Sequence, residues 1–79
     1  MINEEIIRQI LNEVVVDESI KNISNDAIFK DSGIDSLDHA NILFSLQEKY
    51  GLIIPDSDVE KCNTINNILQ YAKDHGKAG

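Results

Sequence analysis

Residues 33–51 read GIDSLDHANILFSLQEKYG, and their pattern predicts a helix over residues 36–50. Gly51 is predicted to end this helix, because the left-handed position after a helix favours glycine. Two apolar stripes recur along it at steps of three and four residues. One stripe consists of His39, Ile42, Leu43, Leu46 and Tyr50. The other contains Leu37, Ala40 and Phe44 beside the polar Asn41 and Glu48. Only one stripe can face the core of a small bundle, so we expect the first to be buried and the second to be exposed.

Two further helices are predicted, one on each side of this helix. Residues 2–15 form the first, with Asn3 as its N-cap. Its apolar face consists of Ile2, Ile6, Ile7, Ile10, Leu11, Val14 and Val15. The β-branched run at residues 14–16 leaves a short strand there as an alternative. Either Asn63 or Thr64 caps the last helix, whose inner face is Ile65, Ile68, Leu69 and Ala72.

The segments between these helices are polar but contain spaced apolar residues. We expect residues 17–35 to form a long loop with room for one helical turn, because an unstructured connection of this length is unusual in a compact domain. The loop is predicted to be pinned by Ile20, Ile23, Ile28, Phe29 and Ile34. Leu52, Ile53 and Ile54 are expected to turn inward, and Pro55 to start a short turn over residues 56–61.

Together these elements predict an all-α fold. It is a small up-and-down bundle of three main helices plus one short helix, with a long loop after the first helix. At 79 residues, the chain is expected to form one domain over residues 1–79, with a frayed tail at residues 76–79. A chain of this size buries a thin core and no deep pocket besides, which argues against a self-contained enzyme.

The charge of the chain excludes several kinds of partner. Fourteen acidic and seven basic residues give a net charge of −7. Such a chain repels nucleic-acid phosphates and anionic lipid, so we expect no nucleic-acid partner and no membrane insertion. Residues 31–62 alone contain seven acidic and two basic side chains. We therefore expect a monomer whose partners present basic patches to the middle third of the chain.

The cysteine content and the acidic residues limit location and metal binding. Cys62 is the only cysteine, which suits a reduced, cytoplasmic location and a small core residue. The acidic N-terminus lacks the basic and apolar regions of a signal peptide. Asp56, Asp58 and Glu60 resemble the start of a calcium loop, but Lys61 replaces the required glycine. We predict no dedicated metal site; a weak surface site for a divalent ion stays open.

The segment whose residues could take part in chemistry is residues 33–38, Gly-Ile-Asp-Ser-Leu-Asp. It places the Ser36 hydroxyl at the start of a helix, where unpaired N–H groups favour a phosphate. The alternative is that Ser36 is an ordinary N-cap. His39 is expected to be a partly buried helix residue or to border the site, because the chain has no Gly-x-Ser-x-Gly elbow that would indicate a hydrolase.

These six residues resemble the phosphopantetheine attachment site of the acyl carrier protein family. The resemblance extends over nearly the whole chain, including the helix that ends at Gly51 and the cap around Thr64. It implies that Ser36 carries 4′-phosphopantetheine, transferred from coenzyme A by a Mg²⁺-dependent phosphopantetheinyl transferase. The arm would hold acyl groups as thioesters and deliver them to enzymes of fatty-acid or related acyl biosynthesis, such as polyketide or lipid synthesis. The chain itself would be non-catalytic, with no catalytic residues.

The second helix departs from the family's usual acidic pattern. Asn41 and Gln47 stand where carboxylates are common, and Phe44 is bulkier than expected at an exposed position. These departures favour a specialised carrier with its own set of partners. The predicted partner surface consists of Asp35, Leu37, Asp38, Ala40, Asn41, Phe44 and Glu48. The alternative function is an unmodified adaptor or regulator of the same fold that acts by protein contact alone.

Overall fold

A computed structural model of the chain describes residues 2–18, 20 and 22–76. The α-helices are α1 (Glu4–Val14), α2 (Ser36–Tyr50) and α3 (Ile65–Asp74), and two 3₁₀ helices span Lys30–Ser32 and Asp56–Cys62. This arrangement confirms the predicted helical bundle, with its short helix before α3 and its long loop after α1. Of the predicted frayed tail, residues 77–79 lie outside the described part of the chain.

Local sequence sets the ends of the helices. The Asn3 side chain accepts a hydrogen bond from the Ile6 N–H at 2.9 Å, and that of Thr64 accepts one from the Asn67 N–H at 2.9 Å. Both are N-caps that satisfy an otherwise unpaired donor. Val15 is the extended C-cap of α1, so the alternative of a strand at residues 14–16 is wrong. Gly51 ends α2 in the left-handed conformation, as predicted.

The core lies where the apolar faces of the three α-helices meet. Each contributes a buried stripe, consisting of Ile7, Ile10 and Leu11 in α1, Ile42, Leu43 and Leu46 in α2, and Ile65, Ile68 and Ala72 in α3. His39 and Tyr50 of the predicted α2 stripe are half-buried. Lys49 of α2 also forms an ion pair with Glu13 of α1, with 2.7 Å between Nζ and Oε2. The predicted core stripe of α2 is therefore confirmed.

The long loop is held to the bundle by apolar and polar contacts. Ile20, Phe29 and Ile34 are buried and Ile23 is half-buried, as predicted, but Ile28 is 43% exposed. The Phe29 N–H also donates to the Asn63 carbonyl at 2.9 Å.

Polar side chains hold the middle of the same loop. Arg8 donates from Nη2 to the Ile23 carbonyl at 3.0 Å and to Asn25 Oδ1 at 2.6 Å. Asn25 in turn donates to Glu4, and its carbonyl accepts from the Asn66 N–H at 3.0 Å. The Asn25 bond lowers the pKa of the Glu4 carboxyl. These bonds connect the loop to α1 and α3.

The segment after α2 departs from the predicted inward packing. Leu52 is buried and Ile54 is half-buried, but Ile53 is 66% exposed. The segment has no helical hydrogen bonding, and successive side chains of an extended chain point to opposite sides. Burying Leu52 therefore turns Ile53 outward. Within the described residues, no helix has the length and apolar character needed to span a bilayer.

Candidate functional site

Ser36 is the first residue of α2, and its side chain is exposed. The N-cap is the preceding residue, Asp35, whose Oδ1 accepts from the Asp38 N–H at 2.8 Å. The interpretation of Ser36 as an ordinary N-cap is therefore wrong, because Asp35 fulfils that role. Among the described residues, none forms a hydrogen bond with the Ser36 hydroxyl. This oxygen is thus accessible and has no competing partner in the part of the chain that the structure describes.

The loop that leads into Ser36 has a fixed path. Gly33 has a φ of 95°, a left-handed conformation that favours glycine. A Cβ atom at this position would lie 3.3 Å from Cδ1 of Ile20, so a larger residue would also be crowded. Ile34 is buried, and its N–H donates to the Phe29 carbonyl at 3.0 Å. Ser36 therefore follows a tight turn that is anchored in the core.

The electrostatic field at Ser36 has contributions of both signs. The first N–H groups of a helix have no carbonyl partner within it and give this end a partial positive charge. The Asp35 carboxylate takes the Asp38 N–H, which leaves the N–H groups of Ser36 and Leu37 directed away from the helix. The acidic side chains of Asp35 and Asp38 surround this end with negative charge. A group attached to Ser36 thus meets helix donors nearby and acidic side chains around them.

A groove of about 490 Å³ lies beside Ser36. Its apolar lining comes from Ile28, Ile34, Ala40 and Val59. Its polar lining includes Lys30, Asp35, His39, Glu60 and Asn63. The groove is formed where the long loop and the Asp56–Cys62 helix meet the first turns of α2. Its apolar lining and polar edge suit an elongated group with both kinds of surface.

His39 supports the wall of this groove. Its Nε2 lies 2.8 Å from the Cys62 carbonyl, and because a carbonyl oxygen only accepts, Nε2 is the donor. The ring also makes an edge-to-face contact with Phe29, with centroids 5.4 Å apart. His39 is half-buried, as predicted, and also borders the groove. It connects α2 to the end of the second 3₁₀ helix and does not contact Ser36 as a base.

The other residues that could take part in chemistry are buried or paired within the fold. Cys62 is buried, as predicted, and burial raises its thiol pKa to about 11. Asp58 accepts from the Tyr71 hydroxyl at 2.8 Å, and this bond lowers the Asp58 pKa and raises that of Tyr71 to about 12. Asp58 also pairs with Lys61. Within residues 2–18, 20 and 22–76, no cluster of three or more His, Cys, Asp or Glu side chains is arranged to hold a metal ion.

The predicted partner surface lies on the outer face of α2 and beside Ser36. Leu37 is 70% exposed and Phe44 is 55% exposed. Asp35, Ala40, Asn41 and Glu48 are also exposed, and Asp38 is half-buried. The two stripes of α2 therefore face in the predicted directions. The contact of this face with partners remains a prediction.

Four of the residues that line the groove were missed by the sequence analysis. Val59, Glu60 and Asn63 come from a segment that is distant in sequence from Ser36, and Lys30 was counted only as a charge. The one available signal was the adjacent apolar pair Ile28 and Phe29 in the loop, of which the structure buries only Phe29. The exposed member of that pair lines the groove.

Comparison with known proteins gives a match to one protein family. A family model described as a phosphopantetheine attachment site matches residues 4–72. The matched span includes α1, α2, both 3₁₀ helices and most of α3. No solved structure gives a significant match to the chain.

Proposed function

The chain belongs to the phosphopantetheine attachment site family, and from this premise we propose that Ser36 is the attachment residue. The observation that supports this assignment is the division of roles at the start of α2. Asp35 caps the helix and thereby leaves the exposed Ser36 hydroxyl available for esterification. The family's group is covalent 4′-phosphopantetheine, which joins a phosphate to the serine oxygen and ends in a thiol.

The residues around Ser36 fit this group. The unpaired N–H groups of Ser36 and Leu37 are suited to the phosphate, because a helix N-terminus favours an anion. The groove beside them provides apolar contacts from Ile28 and Val59 and polar groups at its edge for an arm that contains amides. When bound, the arm supplies a terminal thiol that holds an acyl group as a thioester.

In the loading step, Ser36 Oγ forms the new O–P bond and gives up its proton to a base, while the pyrophosphate P–O bond of coenzyme A breaks and the nucleotide half leaves as its phosphate. His39 Nε2 already donates to the Cys62 carbonyl, and no described side chain contacts Ser36 Oγ. We therefore assign the base and the Mg²⁺ ion to the partner transferase. The chain contributes the accessible nucleophile and its fixed position, and we assign it no catalytic activity of its own.

The proposed role is an acyl carrier protein that delivers acyl thioesters to enzymes of fatty-acid or related acyl biosynthesis. Support comes from the outer surface of α2, where Leu37 is exposed between Asp35 and Asp38 in the sequence and Phe44 is exposed two turns further along the helix. Exposed apolar side chains with acidic neighbours suit weak docking to basic patches on enzymes. The net charge of −5 in residues 31–62, from seven acidic and two basic side chains, favours the same partners. Asn41 and Gln47 favour a specialised partner set.

The experiment is intact-mass analysis after incubation with coenzyme A, Mg²⁺ and a phosphopantetheinyl transferase. The wild-type chain should gain the mass of one phosphopantetheine, and Ser36→Ala should gain none while keeping its helical spectrum. Ser57→Ala, which removes another exposed hydroxyl, is the matched control and should load normally. Loading of Ser36→Ala would place the arm elsewhere. A wild-type chain that never loads would favour the unmodified adaptor.

A further inference from the structure

Lys30 occupies a distinctive place in the groove beside Ser36. Among the described residues that line the groove, it is the only lysine or arginine. Its side chain is exposed, and it forms no ion pair with any residue that the structure describes. The cation is therefore available to a ligand in the groove.

The charges around Ser36 make this cation significant. Asp35 and Glu60 also line the groove, and Asp38 lies in the first turn of α2. A phosphodiester on Ser36 adds another negative charge to this acidic end of the molecule. Repulsion from the carboxylates would direct such an anion toward solvent, and the Lys30 ammonium opposes that repulsion from the groove side.

The backbone of Lys30 is held firmly. Lys30 starts the first 3₁₀ helix, directly after the buried Phe29 and before the left-handed Gly33. The Phe29 N–H donates to the Asn63 carbonyl at 2.9 Å, and the Phe29 carbonyl accepts from the Ile34 N–H at 3.0 Å. These bonds fix the root of the lysine side chain at the groove, so only its flexible stem remains to be ordered when an anion binds.

We propose that Lys30 is a positioning residue for the arm on Ser36: it pairs with the phosphodiester and directs the arm along the groove over Ile28 and Val59. This inference rests on the proposed attachment at Ser36. It assigns Lys30 no part in the loading chemistry. An exposed pair of this kind shifts an equilibrium by a factor of about two to five, and salt weakens it.

The test compares unloaded and loaded protein by amide NMR at low salt. In the wild type, loading should shift the amide signals of Ala40, Val59 and Asn63, which lie along the groove. In Lys30→Gln the ratio of groove-bound to free arm, read from those shifts, should fall by a factor of about two to five. Lys30→Arg should retain the wild-type ratio. Lys73→Gln is the matched control, because Lys73 is exposed and lines a different cavity near Ile2.

The outcomes separate the two proposals. Mass spectrometry first shows whether each protein is loaded, and a wild-type chain that does not load overturns both. If all variants load but Lys30→Gln and Lys73→Gln give the same groove shifts as the wild type, only the Lys30 assignment fails. If high salt lowers the wild-type shifts to the Lys30→Gln level, while the unloaded variants unfold at the same temperature, Lys30 acts through its charge on the arm.

Discussion

Asp35 and Ser36 are adjacent residues of types that both cap helices well, yet only one of them does so here. Asp35 Oδ1 accepts the Asp38 N–H at 2.8 Å, and the Asp35 carbonyl accepts the His39 N–H at 2.9 Å. Helix α2 therefore does not depend on the Ser36 side chain. The Ser36 oxygen, the proposed attachment point, can be esterified without removing a hydrogen bond that stabilises the fold.

The cap can be tested separately from the charge of Asp35. Asp35→Ala should lower the free energy of unfolding by about 0.5–2 kcal/mol, the usual effect of losing an N-cap. Asp35→Asn keeps an oxygen acceptor without the charge and should retain most of the stability. Urea unfolding of both variants measures the difference. An Asp35→Ala variant as stable as the wild type would show that the Asp35 side chain does not support α2.

Single residues also show where sequence was sufficient and where it was not. Asn3 and Gly51 were predictable as caps, because each precedes or follows a clear periodic run. For α3 the sequence left Asn63 and Thr64 open, and the structure shows that Thr64 is the cap. Asp35 was missed because two adjacent residues had equal capping ability and only the backbone conformation distinguishes them. Ile53 was misjudged because its apolar character does not reveal which side of an extended segment faces the core.

At the scale of the elements, α2 combines two different faces. Ile42 and Leu46 are fully buried, while Leu37 and Phe44 lie on the exposed face. The assignment of the two apolar stripes of α2 could be predicted from sequence, because the helical repeat fixes which side chains share a face. The groove was not predictable in this way, since it requires the loop at Lys30 and the 3₁₀ helix at Val59 to meet in three dimensions.

Phe44 should act as an apolar anchor for partner enzymes. Phe44→Ala should weaken docking with little dependence on salt, because the change removes contact area and no charge. It should change the unfolding free energy only slightly, whereas the buried Leu46→Ala control should lower it by about 2–5 kcal/mol. Calorimetric titration with a partner enzyme and urea unfolding give the two readouts. A loss from Phe44→Ala as large as that from Leu46→Ala would contradict the assignment of the faces.

Asp38 should influence the rate of docking. Asp38→Lys should slow association with a basic partner, and the effect should shrink as salt rises, because long-range attraction is screened. Asp74→Lys, which makes the same change of charge at an exposed position in the last turn of α3, is the matched control. Stopped-flow association rates at several salt concentrations provide the comparison. If both variants slow association equally, net charge alone controls the rate.

For the whole molecule, the net charge of −7 opposes folding into a small volume. Among the described residues there are three ion pairs, Glu4–Arg8, Glu13–Lys49 and Asp58–Lys61. The chain has fourteen acidic side chains and only seven basic ones, so at least seven acidic side chains have no lysine or arginine to neutralise them. Added salt should therefore raise the thermal midpoint, because screening of the repulsion outweighs the weakening of exposed pairs. Circular dichroism melts in NaCl and MgCl₂ at equal ionic strength test this. A midpoint that stays constant or falls in both salts contradicts the expectation.

The burial of Cys62 has a practical consequence for measuring the loaded protein. Burial raises the thiol pKa of Cys62 to about 11, so at neutral pH the side chain is a protonated thiol enclosed in the core. A colorimetric thiol reagent should therefore leave the native unloaded chain almost colourless and report one equivalent per loaded chain. Denaturant adds the second equivalent from Cys62. The native reading divided by the additional equivalent that denaturant releases gives the fraction of carriers with a free arm, without labelling, chromatography or a partner enzyme.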